Sequence, residues 1–172
     1  MSKAPRSPYP PDLPDDPVAV TTFEDLADAE AKGQDWANVR QPRFSAHRVV
    51  LRECRLTGAE LAEAAMTDVS FIACRLDLAG LRFARFQRVA FSDCQMAECD
   101  LYGAVFKDVL FERCDLQEAT FSSASFENVE FAGCDLAGLR GAEALRGVRM
   151  AWNDVLQSAP VFATALGIEI LD

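Results

Sequence analysis

The sequence predicts an all-β coil with four short sides, and two periodicities lead to this fold class. Large apolar residues (Leu, Met or Phe) occupy every fifth position from Leu51 to Leu136. A period of five matches neither an α-helix, with 3.6 residues per turn, nor an alternating strand, with a period of two. The small residues two places earlier repeat as Val, Cys, Ala, Ala every twenty residues, apart from Cys99. Four five-residue sides therefore complete one turn, and each side stacks on itself one turn later.

The repeat also predicts which side chains fill the interior. The large and the small residue of each pentad point inward, and the other three positions, rich in charged and hydroxyl side chains, face water. At twenty residues per coil, residues 49–136 make about four and a half coils. Successive coils stack at about 4.8 Å, the spacing of neighbouring strands. The coils stabilise one another by stacking, and both ends need a cap.

The uninterrupted five-residue pattern over residues 49–136 resembles that of the pentapeptide-repeat family. This resemblance implies a right-handed quadrilateral β-helix, a solenoid that we expect to span residues 44–146, with short capping helices at both ends. A fold of this kind does not by itself specify a function.

The N-terminal flank is predicted in two parts. Residues 1–20 are rich in proline and lack apolar periodicity, which indicates a flexible tail. They contain no apolar run, and we expect neither a signal peptide nor a membrane span. Residues 21–43 are predicted to form a helical cap, because Thr21 and Glu24 have capping-box spacing and Gly33 suits a helix end. Trp36 would help this helix to cover the first coil.

The C-terminal flank, residues 147–172, changes to a helical period. Pro160 either kinks the helix or marks a start at Ser158, and Gly167 suits its end. The segment resembles the C-terminal helix of the Qnr and MfpA type of quinolone-resistance pentapeptide proteins, which implies a homodimer joined end to end. A cap for the last coil explains the same pattern without a dimer. The predicted apolar stripe and dimer interface consists of Val155, Ala159, Phe162 and Leu166.

The residues that suggest chemistry have structural explanations. Five of the six cysteines, Cys54, Cys74, Cys94, Cys114 and Cys134, fall in one column of the repeat, which predicts small buried thiols. Reduced thiols indicate a cytoplasmic protein. His47 is the single histidine and has no titrating partner in the pattern. No catalytic, metal or cofactor motif is present, and we expect a protein that is not an enzyme and binds no cofactor.

Charge is unevenly distributed along the chain, whose formal net charge is −10. Residues 49–88 carry six basic and five acidic side chains, whereas residues 89–138 carry two basic and ten acidic ones, a net charge of −8. Nucleic acid is not an expected partner of such a chain. The ten acids form the candidate partner-binding acidic face: Asp93, Glu98, Asp100, Asp108, Glu112, Asp115, Glu118, Glu127, Glu130 and Asp135.

Two hypotheses from different classes follow. In the first, suggested by the Qnr and MfpA resemblance, the acidic rod mimics DNA and occupies the DNA-binding surface of a type II topoisomerase, DNA gyrase. In the second, the protein is an interaction scaffold, because apolar residues stand at outward positions that the repeat leaves free. The candidate apolar patch comprises Ile72, Leu78, Phe83, Tyr102 and Leu110.

Overall fold

The computed structural model describes residues 7–171 as a parallel β-solenoid closed by short C-terminal helices. One sheet contains eight strands in the order of the sequence, β1 to β8. The strands are β1 Val18–Ala19, β2 Leu26–Lys32, β3 Ser45–Arg52, β4 Ala65–Ile72, β5 Arg85–Ser92, β6 Val105–Glu112, β7 Ser125–Ala132 and β8 Arg149–Met150.

The twenty-residue period appears directly in the strand register. From β2 to β7, paired residues of neighbouring strands stand twenty positions apart, as Val49 and Val69 do. Two further ladders of single bridges run through Arg55 and Arg75, and through Glu60 and Gly80. We name the four sides by the coil of β3: side A is residues 44–47, side B 49–52, side C 54–57 and side D 59–62, and the equivalent residues of other coils share the names.

The core is the continuous interior that the repeat predicts. Val, Cys, Ala, Leu, Met and Phe side chains of successive coils stack in columns and are almost fully buried. Phe71, Phe91, Phe111 and Phe131 stack with ring centroids 4.8 to 5.0 Å apart. Each buried Leu or Phe contributes about 1.5–3 kcal/mol before ordering entropy is subtracted. Repetition of the same column is what holds the coils in register.

The chain turns each corner with a residue in the left-handed conformation. Every fifth residue from Arg43 to Gly138 has positive φ, and this residue directly precedes the small one. Within the described chain glycine fills only some corners, such as Gly58 and Gly103, while others carry bulky residues, such as Phe83 with φ of 58°. Left-handed φ costs a residue with a Cβ about 1–2 kcal/mol, so the stacked coils impose these corners.

The predicted N-terminal helix is wrong, because residues 21–43 form another coil of the solenoid and contain β2. The size pattern is inverted at the start of the following coil: Phe44 stands at a small position and Ala46 at a large one, and both are buried. This exchange fills the same interior volume but hides the repeat. Phe23 stacks on Phe44 at 4.6 Å and meets Trp36 edge-on at 5.1 Å, and these rings close the N-terminal end.

The expectation of a flexible tail over residues 1–20 is only partly testable, since residues 1–6 lie outside the described part. Residues 18–19 form β1, which pairs with β2. Residues 7–17 lie along the outside of the rod: the Asp12 N–H donates to Asp68 Oδ1 at 2.9 Å, and Asp12 Oδ2 contacts Arg48 Nη1 at 2.6 Å. Because two neighbouring coils hold Asp12, this segment is docked, in contrast to the expectation.

The C-terminal end closes with a 3₁₀ turn at Ala142–Ala144, strand β8 and two short helices, α1 Trp152–Gln157 and α2 Ala159–Ala165. Ser158 separates the helices, and Pro160 lies in the first turn of α2. Gly167 ends α2 with φ of 70°, and the Ile168 N–H donates to Ala163 O at 2.8 Å. No helix of residues 7–171 is both long and apolar enough to cross a membrane.

Candidate functional site

The ten acidic residues of the candidate face do not share one face of the rod. Glu127 lies on side A, Glu112 and Glu130 on side B, Asp100 on side D, and Asp108 at the corner between A and B. The other five lie on side C and its two corners, over three successive coils: Asp93, Glu98, Asp115, Glu118 and Asp135. The acidic face therefore reduces to this side C cluster, into which Arg113 brings a basic side chain at a corner.

Ion pairs reduce the charge that six of the ten present, and five of these residues pair with a neighbouring coil. Asp93 receives two bonds from Arg113 at 2.7 and 2.9 Å, which lower the pKa of its carboxyl. The other five pairs are Asp100–Arg82, Glu112–Arg113, Glu118–Arg140, Glu127–Lys107 and Glu130–Arg149. Asp108 is buried and accepts a hydrogen bond from Asn128.

Three carboxylates of the side C cluster, Glu98, Asp115 and Asp135, have no ion pair with any residue of the described chain. Asp115 and Asp135 stand directly above one another in adjacent coils. Each accepts a hydrogen bond from the backbone N–H two residues later, at 3.0 Å, which fixes its carboxylate near the backbone. Unpaired negative charge is therefore concentrated on one side near the C-terminal end.

The candidate apolar patch divides between opposite sides of the rod. Ile72 and Leu110 lie on side B, whereas Tyr102 lies on side D and Leu78 and Phe83 lie at the two corners of side D. Leu78 and Phe83 are 58% and 50% exposed. The side D group is thus an exposed apolar surface, but the five residues do not form one patch.

Phe83 is held in place by the next coil. Its ring meets Tyr102 edge-on at 5.6 Å, and the Arg82 guanidinium lies 4.7 Å from the Tyr102 ring centroid. The ring also covers Gly103, where a Cβ would stand 2.6 Å from Phe83 Cδ1. Glycine at position 103 therefore has two roles: it adopts the left-handed conformation of the corner, and its lack of a Cβ leaves room for the Phe83 ring.

A polar column at the corner between sides A and B was not recognised from the sequence. It alternates in charge along the rod and then ends in an amide: Asp28, Arg48, Asp68, Arg88, Asp108 and Asn128. Arg88 donates two bonds to the buried Asp68 carboxylate at 2.7 and 2.6 Å, and these bonds lower the pKa of Asp68. Comparing charges twenty residues apart in the sequence would have revealed this column.

The C-terminal stripe is only partly exposed. Val155 and Phe162 are half-buried, and Phe162 packs against the core, whereas Ala159 is exposed and Leu166 is 76% exposed. Val155 belongs to α1 and the others to α2 or its end, so the break at Ser158 divides the stripe. Clefts of about 480 and 230 Å³ lie between α2 and the last coil, with Ala142, Glu143 and Ala165 lining both.

Comparison with protein families agrees with this geometry. Residues 44–121 match the family model described as a pentapeptide repeat region. Residues 44–121 are therefore a pentapeptide-repeat region. No curated protein matches its sequence.

Solved structures similar to this chain share little sequence with it. They include a trypsin-treated variant of QnrB1, a plasmid-mediated fluoroquinolone resistance protein, at 17% identity over 89% of this chain and 93% of that one, with a TM-score of 0.43. A pentapeptide repeat protein from the Arabidopsis thaliana thylakoid lumen is 21% identical over 82% of this chain and 78% of that one, with a TM-score of 0.34.

The cysteines of the pentapeptide-repeat coils lie inside the rod. Cys54, Cys74, Cys94, Cys114 and Cys134 form one column of free, buried thiols, and Cys99 is buried on side D. The Cys99 thiol donates to Leu76 O at 2.8 Å, and burial raises its pKa to about 12. Residues 7–171 contain no group of three or more His, Cys, Asp or Glu side chains arranged for a metal ion. His47 is exposed on side A.

Proposed function

We propose that this pentapeptide-repeat protein is a non-enzymatic binding protein that mimics DNA, and that its partner is a type II topoisomerase, DNA gyrase. The observation that carries the proposal is the side C cluster: five carboxylates and one guanidinium within three coils, three of the carboxylates without an ion pair in the described chain. The resemblance to the Qnr and MfpA type supplies gyrase as the partner to test. The proposal places the protein in the cytoplasm, where its thiols remain reduced.

Electrostatics support a basic groove as the complement of side C. The carboxylates repeat along the rod at the coil spacing of about 4.8 Å and form a line of charge on a narrow, rigid surface. Such a line attracts a groove whose cations are placed for duplex phosphates, and complementarity of this kind raises the association rate. Because exposed charges are screened within about 10 Å at 0.1 M salt, the binding should weaken steeply as salt increases.

Gyrase supercoiling and direct binding at low salt test the proposal. We expect the unmodified protein to inhibit supercoiling and the triple variant Asp115→Asn, Glu118→Gln, Asp135→Asn to lose the inhibition while keeping its thermal midpoint. The matched control is Arg55→Gln with Arg75→Gln, which changes the same column on the N-terminal half and should leave inhibition unchanged. If the unmodified protein neither binds gyrase at low salt nor alters supercoiling, gyrase is excluded as the partner.

The side D group favours a second candidate function, that of an interaction scaffold. Phe83, Tyr102 and Arg82 pack together at the surface, and exposed aromatic and arginine side chains often dominate binding energy at interfaces. If this surface is the binding site, Phe83→Ser should abolish partner binding and the triple acid variant should retain it. The mimic predicts the opposite pair of results.

We also propose a homodimer through the C-terminal end. Trp152, Leu156 and Leu166 are 72%, 55% and 76% exposed, and Ile168, Ile170 and Leu171 after α2 are exposed as well. Exposed large apolar groups concentrated at one end favour association, and closed two-fold symmetry is the commonest arrangement. The interface proposed here includes Leu166 of the stripe, but Phe162 serves mainly to attach α2 to the coil.

A further inference from the structure

The outward positions of side B are less exposed than those of side A. On side A, the residues at the first outward position of five successive coils, from Ser45 to Ser125, are all exposed. At the corresponding position on side B, Val50 and Ser70 are buried, and Ala90 and Leu110 are half-buried. Since side chains at these positions point away from the core, the burial of Val50 and Ser70 requires neighbours outside the core.

The N-terminal segment, residues 7–17, is attached beside Val50 and Ser70. Asp12 lies across the corner between sides A and B, held by Arg48 of β3 and Asp68 of β4. Pro8, Pro11, Leu13, Pro14 and Pro17 of this segment are half-buried. We define the AB groove as the surface at this corner and on side B beside it: Arg48, Val50, Asp68, Ser70, Ala90 and Leu110.

The polar anchors of the AB groove are fixed by the solenoid itself. Arg48 Nε donates to Asp28 Oδ1 at 2.7 Å, which leaves Nη1 to bind the Asp12 carboxylate. Asp68 is held by two bonds from Arg88 and still accepts the Asp12 N–H. The groove thus offers a cation for a side-chain carboxylate and an oxygen for the N–H of the same residue, beside an apolar strip.

The bound segment shows which ligand fits this groove. Residues 7–17 contain five prolines, and proline-rich segments are preorganised in an extended form that loses little entropy on binding. Its polar attachment is the Asp12 clamp, and an exposed ion pair of this kind is weak. A weak clamp that acts within one chain is easily exchanged for an equivalent segment from another protein.

We propose that the AB groove is a docking site for an extended, proline-rich segment of a partner protein that carries an aspartate, and that residues 7–17 occupy it in cis as a competitor. The segment uses its own aspartate in the role that the partner's aspartate takes. Release of residues 7–17 opens the groove, so the N-terminal segment regulates access to it. This site lies away from side C and does not depend on the proposed binding to gyrase.

A labelled peptide with the sequence of residues 7–18, SPYPPDLPDDPV, tests the groove on full-length protein. Asp12→Lys places a cation beside Arg48 and should release the segment, and this variant should bind the peptide about tenfold more tightly than the unmodified chain. This expected factor is the weakening of peptide binding by residues 7–17 of the unmodified chain, which compete at an effective concentration on the order of millimolar. Adding Arg48→Glu to Asp12→Lys should return binding to the weak level, and a peptide with lysine in place of its first aspartate should not bind.

Thermal midpoints check that both variants are folded, and proteolysis within residues 7–17 reports release of the segment. Equal binding of the peptide by the unmodified chain and by Asp12→Lys would overturn competition in cis. Failure of a folded, released Asp12→Lys chain to bind the peptide, or indifference to Arg48→Glu, would overturn the groove. If Asp12→Lys leaves the segment protected, the clamp is not what holds it and the proposal fails. Peptide-blocked self-association of the unmodified chain would make a second copy, instead of a partner protein, the occupant.

Discussion

Phe106 and Lys107 are neighbours with opposite roles, and they provide the first test at the scale of single residues. Phe106 is fully buried and stacks between Phe86 and Phe126 at 5.0 and 5.1 Å. We expect Phe106→Ala to lower the free energy of unfolding by about 3–5 kcal/mol. Lys107 faces water and forms an exposed ion pair with Glu127, so Lys107→Ala should change the free energy of unfolding by less than about 0.5 kcal/mol. Chemical denaturation of both variants tests this prediction, and similar denaturation midpoints would contradict the assignment of inner and outer positions.

Gly103 supports a second residue-scale prediction. Gly103→Ala should cost about 1–2 kcal/mol for its left-handed φ and more because the new Cβ meets the Phe83 ring. In the double variant Gly103→Ala, Phe83→Ala, the steric part should disappear and only the backbone cost should remain. Denaturation of the two single variants and the double variant measures this coupling. Purely additive effects would show that the ring does not depend on the space above Gly103.

Interior positions could be predicted from the sequence because size and apolarity repeat there without interruption from residue 51 to residue 136. The left-handed corners could not, because the corner residue is often charged or bulky, as Phe83 and Arg88 are. Their conformation comes from stacking between coils. Most corner side chains carry no local signal of it, although the glycines, Asn38 and Asn128 suit this conformation.

The corner column between sides A and B supports a prediction at the scale of elements, since it connects β3, β4 and β5. Arg88, Asp12 and His47 all act on Asp68, with the Arg88 hydrogen bonds the largest influence that lowers its pKa. A lowered folded-state pKa means that this contribution to stability is complete above the unfolded-state value of about 3.9. It is lost as the pH falls through the folded-state pKa.

We therefore expect Asp68→Asn to destabilise the protein at pH 7 by about 1.5–3 kcal/mol, the range for hydrogen bonds to a charged group. The variant should also lose less stability than the unmodified protein when the pH falls below about 4. The control is Asp16→Asn in the exposed part of the N-terminal segment, which should retain the normal acid sensitivity. Denaturation midpoints from acid to neutral pH give both answers, and parallel curves for all three proteins would contradict the role of Asp68.

The flanking elements show where local sequence signals fail. Thr21, Glu24 and Gly33 have the spacing of a helix, yet the segment forms a coil because Leu26, Ala29, Ala31 and Trp36 bury against the next coil. Packing overrides the capping signal there. At the other end the helical signal prevails, because beyond Leu136 the pentads no longer supply large residues for the interior.

At the scale of the whole molecule, the sequence predicted the excess of negative charge in residues 89–138 but not its distribution among the four sides. A twenty-residue period assigns each charge to a side only when the side of each pentad is followed explicitly. The ion pairs depend further on rotamers that join residues about twenty positions apart, as Arg113 joins Asp93. For this reason the ten predicted acids reduce to the side C cluster.

Salt distinguishes the two associations proposed for the whole rod. End-to-end pairing through the C-terminal helices brings together two segments that each carry ten acidic and two basic residues, a net charge of −8. The apolar contact must then act against repulsion, and because salt screens this repulsion, the dimer should become tighter as salt rises from about 0.05 to about 0.5 M. Binding to a basic groove should weaken over the same range.

Light scattering at several protein concentrations measures the dimer, with Leu166→Glu as the disrupting variant. Leu166 is 76% exposed, so the change should give a folded monomer with the thermal midpoint that the unmodified protein has at concentrations where it is monomeric. Phe162→Asp is the contrasting variant, because Phe162 packs against the core and its loss should loosen the C-terminal cap and lower the midpoint. A protein that remains monomeric in high salt at tens of micromolar would show that the exposed apolar end does not join two copies, and the helices would then act only as a cap.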